Sequence, residues 1–231
     1  MLTWISGLSW TILILFGGLL VTGSANALNE VLEKDTDAKM NRTASRPVAA
    51  GRMSVTEARI AIGVMLVAGL IILGLLFNLL SAVLSLVSWF IYAFLYTPLK
   101  KVSAISVIVG AVPGALPCLI GWAAGNDELS TGGWVLFLIQ FFWQFPHFWA
   151  IAWIAYRDYE QAGFRLLPSV EGPTKYSAIQ SVVYSLVLVP VGMLPYWTGL
   201  SGRWSFWIVL GANLVMVLLS FRLYTKMERQ A

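Results

Sequence analysis

The chain has 231 residues, of which 58% are apolar and only 11% charged. That balance excludes a soluble globular domain and leaves a membrane protein. The formal net charge of +4 does not point to nucleic acid, because the bases are sorted to one side of the apolar runs described next.

A transmembrane helix needs ~20 apolar residues to cross a ~30 Å hydrocarbon core. Seven runs qualify, at 10–28, 60–77, 79–96, 102–124, 132–156, 177–198 and 204–223. The expected fold class is all-α, a polytopic transmembrane helical bundle forming one domain over 1–231. The second and third runs are continuous over 60–97. As one helix they would be ~57 Å long, so the chain must turn back, near Asn78. Of the fifteen Lys and Arg, only Arg203 falls on the side opposite the first long connection. The positive-inside rule then places the N-terminus outside and the charged connections in the cytoplasm. Trp4, Trp10, Trp122, Trp134, Trp197, Trp204 and Trp207 fall near the outer ends, as an aromatic belt would.

Ala25, Asn26 and Ala27 after the first run imitate a signal-peptidase site. No Lys or Arg precedes that run, and a cut there would separate Asn26 from the acidic stretch, so it reads as a span. Cys118 is the single cysteine. It lies inside a span, cannot form an internal disulfide and carries no redox information.

The first span runs into Asn29, Glu30, Glu33, Asp35 and Asp37. If the helix continues, Asn29, Glu33 and Asp37 share one face, with Glu30 and Asn26 alongside. Like charges so close disfavour one another unless a cation intervenes. Hard oxygen ligands with open positions suit Mg²⁺ that shares its shell with a diphosphate. Arg42 and Arg46 follow and can grip phosphate oxygens in a fork geometry. A positive-inside loop accounts for the bases but not for the carboxylates. Tyr96-Thr97-Pro98-Leu99-Lys100-Lys101 ends the third span on the same side. Alone it reads as an interfacial Tyr with snorkelling lysines; beside a diphosphate, Lys100 and Lys101 become phosphate contacts.

The fourth span carries Gly110, Pro113, Gly114, Pro117 and Gly121, small and kinking residues that suit a cavity wall. In the fifth, Gln140, Gln144 and His147 share a face among aromatics, with Pro146 between them. A lone His is commonly a packing residue, yet polar groups inside a span face a bundle interior or a cavity. The loop beyond it holds a second acid–base cluster, with Arg157, Asp158, Glu160 and Arg165.

Together these residues resemble the UbiA-type intramembrane prenyltransferases. The superfamily's first signature, Asn-Asp-x-x-Asp-x-x-x-Asp, is similar to Asn29, Glu30, Glu33 and Asp37. The resemblance is closer to the branch that farnesylates protohaem IX. It rests on Asp35-x-Asp37-x-x-Met40-x-Arg42-Thr43-x-x-Arg46-Pro47, on Tyr96 to Lys100, and on Gly110-Ala111-x-x-Gly114-Ala115. Trp143-Gln144-Phe145-Pro146-His147-Phe148-Trp149-Ala150 and Asp158-Tyr159-x-x-Ala162-Gly163 complete it. The resemblance implies a bundle around a central cavity open to the cytoplasmic side, in a bacterial cytoplasmic (inner) membrane. It implies farnesyl diphosphate and haem B as substrates, and Mg²⁺ held by Asn29, Glu33 and Asp37, with Glu30 in the catalytic motif. Arg42, Arg46, Lys100, Lys101 and Arg157 would take the diphosphate, and His147, Gln144 and Trp149 the acceptor. A downstream haem A synthase is an implied partner. Glu30 and Glu33 stand where the superfamily favours Asp. The second acidic motif is reduced to Asp158, with Glu160 nearby. The family usually has nine spans, and the seven here match its second to eighth. Two alternatives stay open: another acceptor, such as a quinone precursor or chlorophyllide, and a cation-coupled transporter, which the lack of internal symmetry weakens.

Overall fold

The computed structural model describes residues 7–227; Trp4, named above, lies outside them. The described residues form helices and no strand. They are α1 (Gly7–Leu32), α2 (Lys34–Asp37), α3 (Val55–Leu76), α4 (Leu79–Phe90), a π-helical segment (Ile91–Tyr96), α5 (Thr97–Leu99), α6 (Ile105–Asn126), α7 (Thr131–Ile154), α8 (Tyr156–Gln161), α9 (Lys175–Trp197) and α10 (Arg203–Lys226). Seven stretches are long and apolar enough to cross a membrane, α4 through α5 counting as one. All seven expected spans are present.

Local chemistry explains the boundaries. The reversal expected near Asn78 is there: α3 ends at Leu76 and α4 starts at Leu79. Asn78 caps α4 by accepting from the Ser81 N–H at 2.8 Å, and its amide donates to the Ala123 carbonyl of α6 at 2.6 Å. One side chain thus makes the turn and ties it to a neighbour. Ser54 and Glu57 form a reciprocal capping box that starts α3. In α6, Pro117 cannot donate to the Pro113 carbonyl, and the Ser88 hydroxyl of α4 fills that position at 3.3 Å.

Sequential packing organises the bundle. α1 lies on α3, α3 on α4, α4 on α6, α6 on α7, α7 on α9 and α9 on α10. The α9–α10 seam is polar: the Ser185 and Ser220 hydroxyls meet at 2.8 Å, and Asn213 donates to the Leu188 carbonyl at 3.0 Å. Large apolar residues such as Leu75, Leu79, Trp204 and Ile208 face outward, as lipid contact demands and water would not allow. A cluster of Met40, Val107, Phe145, Trp149, Tyr159 and Phe164 ties the first connection and α8 to the basic-loop ends of α6 and α7.

Candidate active site

α1 does not run unbroken into the acidic stretch. Glu33 leaves helical geometry at φ −106°, ψ 13°, and a single turn, α2, follows. The register survives because the Glu33 N–H still bonds the Asn29 carbonyl (2.9 Å) and the Asp37 N–H the Glu33 carbonyl (2.7 Å). Asn29, Glu33 and Asp37 therefore stay on one face, and all three are buried.

The π-helical segment brings the opposite side of the site. Its extra residue per turn lets the Thr97 N–H reach the Tyr92 carbonyl just ahead of Pro98. The Thr97 hydroxyl lies 2.9 Å from both Asn29 Oδ1 and the Tyr92 carbonyl. Lys100, one turn on, reaches back beneath the spans. Its Nζ donates to Glu33 Oε2 at 2.8 Å and to Asn29 Oδ1 at 3.1 Å, and the Asn29 amide donates to the same Glu33 oxygen at 2.9 Å. Arg46 Nη1 grips both oxygens of Asp37, at 3.0 and 2.8 Å, and its Nε stands 4.0 Å from Glu30. The Thr43 hydroxyl donates to the Asp37 carbonyl at 3.0 Å and closes the loop.

Lys100 is therefore no snorkelling side chain. It is only 7% exposed, with its ammonium 5.0 Å over the Tyr96 ring and 5.2 Å over that of Phe164. Burial pulls its pKa below the ordinary lysine range, against the opposing pull of Glu33. Arg46 ends above its usual value: burial lowers it, but the hydrogen bond and charge of Asp37 outweigh burial.

Beside this network lies a cavity of about 670 Å³. Val21 and Asn26 of α1, Ser85 and Trp89 of α4, Tyr92 and Tyr96 of the π-helical segment, Gly110, Gly114 and Pro117 of α6, and Gln144 and Phe148 of α7 form its wall. The fourth span is the small-residue wall that its sequence implies. A Cβ at position 110 would stand 2.6 Å from the Tyr96 ring, and one at 114 would collide with Gln144 Oε1. Gln144 holds its place by donating to the Ala111 and Gln140 carbonyls, at 3.1 and 2.9 Å. Arg42 and Tyr159 stand on the same wall, the guanidinium 5.0 Å over the tyrosine ring. Burial raises the Tyr159 pKa, with Arg42 pulling the other way.

The other candidates are placed less uniformly. Lys101 turns from the carboxylates and donates to the Thr36 hydroxyl at 2.7 Å. Arg157 is exposed. Glu160 accepts from the Tyr156 hydroxyl at 2.9 Å, and Asp158 is half-buried in the same short helix. His147 is half-buried and stacks on Trp143 at 4.6 Å; Gln144 and Phe148 line the cavity while His147 does not. Trp149 is buried against Phe145 and Tyr184, and its indole N–H has no hydrogen-bond partner. Thr97, Tyr92 and Tyr159 are site residues that sequence reasoning passed over. Thr97 sits inside a motif it did quote, and Tyr92 stands four residues from Tyr96, a spacing that puts both rings on one side of a helix.

Among the described residues, no three His, Cys, Asp or Glu side chains converge to hold a metal ion by themselves. The donors fit a different mode, in which Mg²⁺ takes one or two carboxylates and fills its shell from a bound diphosphate and water. Glu33 Oε1 is buried without a hydrogen-bond partner, a carboxylate oxygen left open beside the pair that Lys100 holds.

A buried acid–base network next to an aromatic cavity among transmembrane helices defines a class of intramembrane enzyme, and comparison identifies it. Residues 2–231 match the UbiA prenyltransferase family, and the chain belongs to it. A protein named protoheme IX farnesyltransferase from Cytophaga hutchinsonii is 47% identical over 208 residues, covering 89% of this chain and 73% of that protein. One of the same name from Koribacter versatilis is 41% identical over 218 residues, covering 94% and 70%. The match to a third, from Flavobacterium johnsoniae, is 45% identical and spans 62% of that protein's length. The fold is shared with a UbiA homolog from Aeropyrum pernix at TM-score 0.76 and 19% identity, over 97% of this chain and 85% of that one. It is also shared with a structure described as a digeranylgeranylglyceryl phosphate synthase, at TM-score 0.79 and 17% identity, over 97% and 78%.

Proposed function

We propose that this chain transfers the farnesyl group of farnesyl diphosphate to a vinyl group of protohaem IX (haem B), giving haem O at the cytoplasmic face of a bacterial inner membrane. A haem A synthase would use the product. One observation carries the reading: the Asn29–Glu33–Asp37 face, paired with Lys100 and Arg46, meets a 670 Å³ apolar cavity through Tyr96, whose ring lines the cavity and stands 5.0 Å from the Lys100 ammonium, in a chain whose relatives bear that name. The sorting of the bases to one side supports the placement.

The allylic C–O bond breaks and the diphosphate leaves with the electron pair. The allylic cation adds to the vinyl carbon, and water then supplies the hydroxyl and releases a proton. Lys100, Arg46 and Arg42 offer cationic donors to the leaving diphosphate, and groups aimed at developing charge lower a barrier most. Mg²⁺, held by Glu33 and Asp37 with Asn29 and Glu30 beside them, would add electrostatic stabilisation of the same leaving group. Tyr92, Tyr96, Trp89 and Phe148 give the cation a wall of ring faces. The apolar surroundings keep water from it until the new C–C bond forms. Gln144 on the cavity wall would orient the acceptor, with His147 and Trp149 of the same helix assisting from outside the wall.

Mass spectrometry of the pigments from membranes expressing the chain tests this. One vinyl group of haem B should be converted to a hydroxyethylfarnesyl group, with a mass gain of one farnesyl group plus one hydroxyl. Prenylation of a quinone precursor or a chlorophyllide with haem B left unchanged would replace the acceptor.

A further inference from the structure

A second cavity, of about 420 Å³, lies between the α5–α6 connection and the α8–α9 connection. Its wall includes Lys101, Ser103, Tyr156, Glu160 and Arg165. Tyr159 and Leu166 border both cavities, so two side chains separate the polar chamber from the aromatic one. The two connections are locked together by the Arg165 N–H, which donates to the Lys100 carbonyl at 2.7 Å.

The bases of this region fall into two sets. Arg46 and Lys100 are bound to Asp37 and Glu33. Lys101 meets only a neutral hydroxyl, and the Arg165 side chain is exposed. The only acid on the wall of the second chamber, Glu160, is engaged with the Tyr156 hydroxyl. Two cations facing one carboxylate leave the chamber short of negative charge.

We infer that this chamber receives the carboxylate groups of the acceptor, through Arg165 and Lys101. The inference rests on the haem reading proposed above. Protohaem IX carries its vinyl groups on one edge of the ring and its two propionates on the other. A vinyl edge inside the aromatic cavity leaves ionised carboxylates that an apolar wall cannot accept without a large desolvation cost. The chamber across Tyr159 and Leu166 supplies a guanidinium and an ammonium for them. Glu160 opposes their entry.

Soret titration of the purified chain with haem B and with haem dimethyl ester, in which both carboxylates are masked, tests the inference. Arg165→Gln removes an exposed side chain and keeps the backbone bond to Lys100, so folding is not at stake. It should weaken haem B binding about tenfold, the weight of a charge-assisted hydrogen bond. Binding of the ester should hold within twofold. Glu160→Gln should shift haem B affinity the opposite way. Equal loss for acid and ester, or no change in either, would overturn the chamber as the carboxylate site. Failure of the unaltered chain to bind either porphyrin would instead overturn the haem reading itself.

Discussion

The acidic end of α1 and the aromatic middle of α7 both place polar groups in a membrane protein, and they do so in opposite ways. Around Asn29 the charges of Glu33, Asp37, Lys100 and Arg46 are buried or half-buried, and each is answered by another. Around His147 the imidazole is half-buried and meets ring faces, with no ionic partner. A buried ion pair seldom stabilises a fold beyond what apolar residues of the same volume would. The paired network is thus poor structural material, and under the proposed function it offers carboxylates to a cation and bases to an anion, held on each other until a ligand brings both. The α7 region contributes shape.

Breaking the network should have the largest effect. Asp37→Asn and Glu33→Gln should each lower farnesyl transfer at least a hundredfold, read as haem O formed per unit of protein. Glu33→Gln also leaves Lys100 buried without an anion, which costs about 3 kcal/mol of stability. The double change Glu33→Gln, Lys100→Met should regain much of that stability in detergent melting and none of the activity. Recovery of activity in the double variant would reduce the network to a fold element.

Next come the bases. Lys100→Gln should raise the KM for farnesyl diphosphate about tenfold or more and leave the KM for the acceptor near its original value, since only the diphosphate carries the charge Lys100 would hold. The protonated ammonium is the binding form. Its pKa is depressed in the folded chain, so affinity for farnesyl diphosphate should fall with rising pH before an ordinary lysine would titrate. Lys100→Arg, charged throughout that range, should move this limit upward. A pH profile that the Arg substitution leaves in place would assign it to another group.

The smallest effect belongs to α7. His147→Ala should weaken haem B binding several-fold and shift its Soret band, while a farnesyl diphosphate analogue binds as before. Equal weakening of both ligands, with a lower melting temperature, would mean that the imidazole serves only to stack on Trp143.

Much of this molecule was legible in its residues because membranes simplify the problem. Uncharged runs of 20 residues have one use, so all seven spans and the reversal at Asn78 could be read directly. The i, i+4 spacing of Asn29, Glu33 and Asp37 put them on one face, and the backbone register keeps them there through the break at Glu33. What could not be read was which charges would meet. Lys100 and Lys101 are adjacent, and sequence alone treats them alike. Only the π-helical turn, Pro98 and the approach of α1 decide that Lys100 is buried on Glu33 while Lys101 reaches Thr36. Likewise, Gln144 lines the cavity because Gly114 leaves room for its amide, whereas His147, three residues on, points to Trp143. Hydropathy and helical period are properties of one segment and survive in any surroundings. The pairing of buried charges depends on distances of a few ångströms between segments far apart in the chain, and those exist only once the helices have packed.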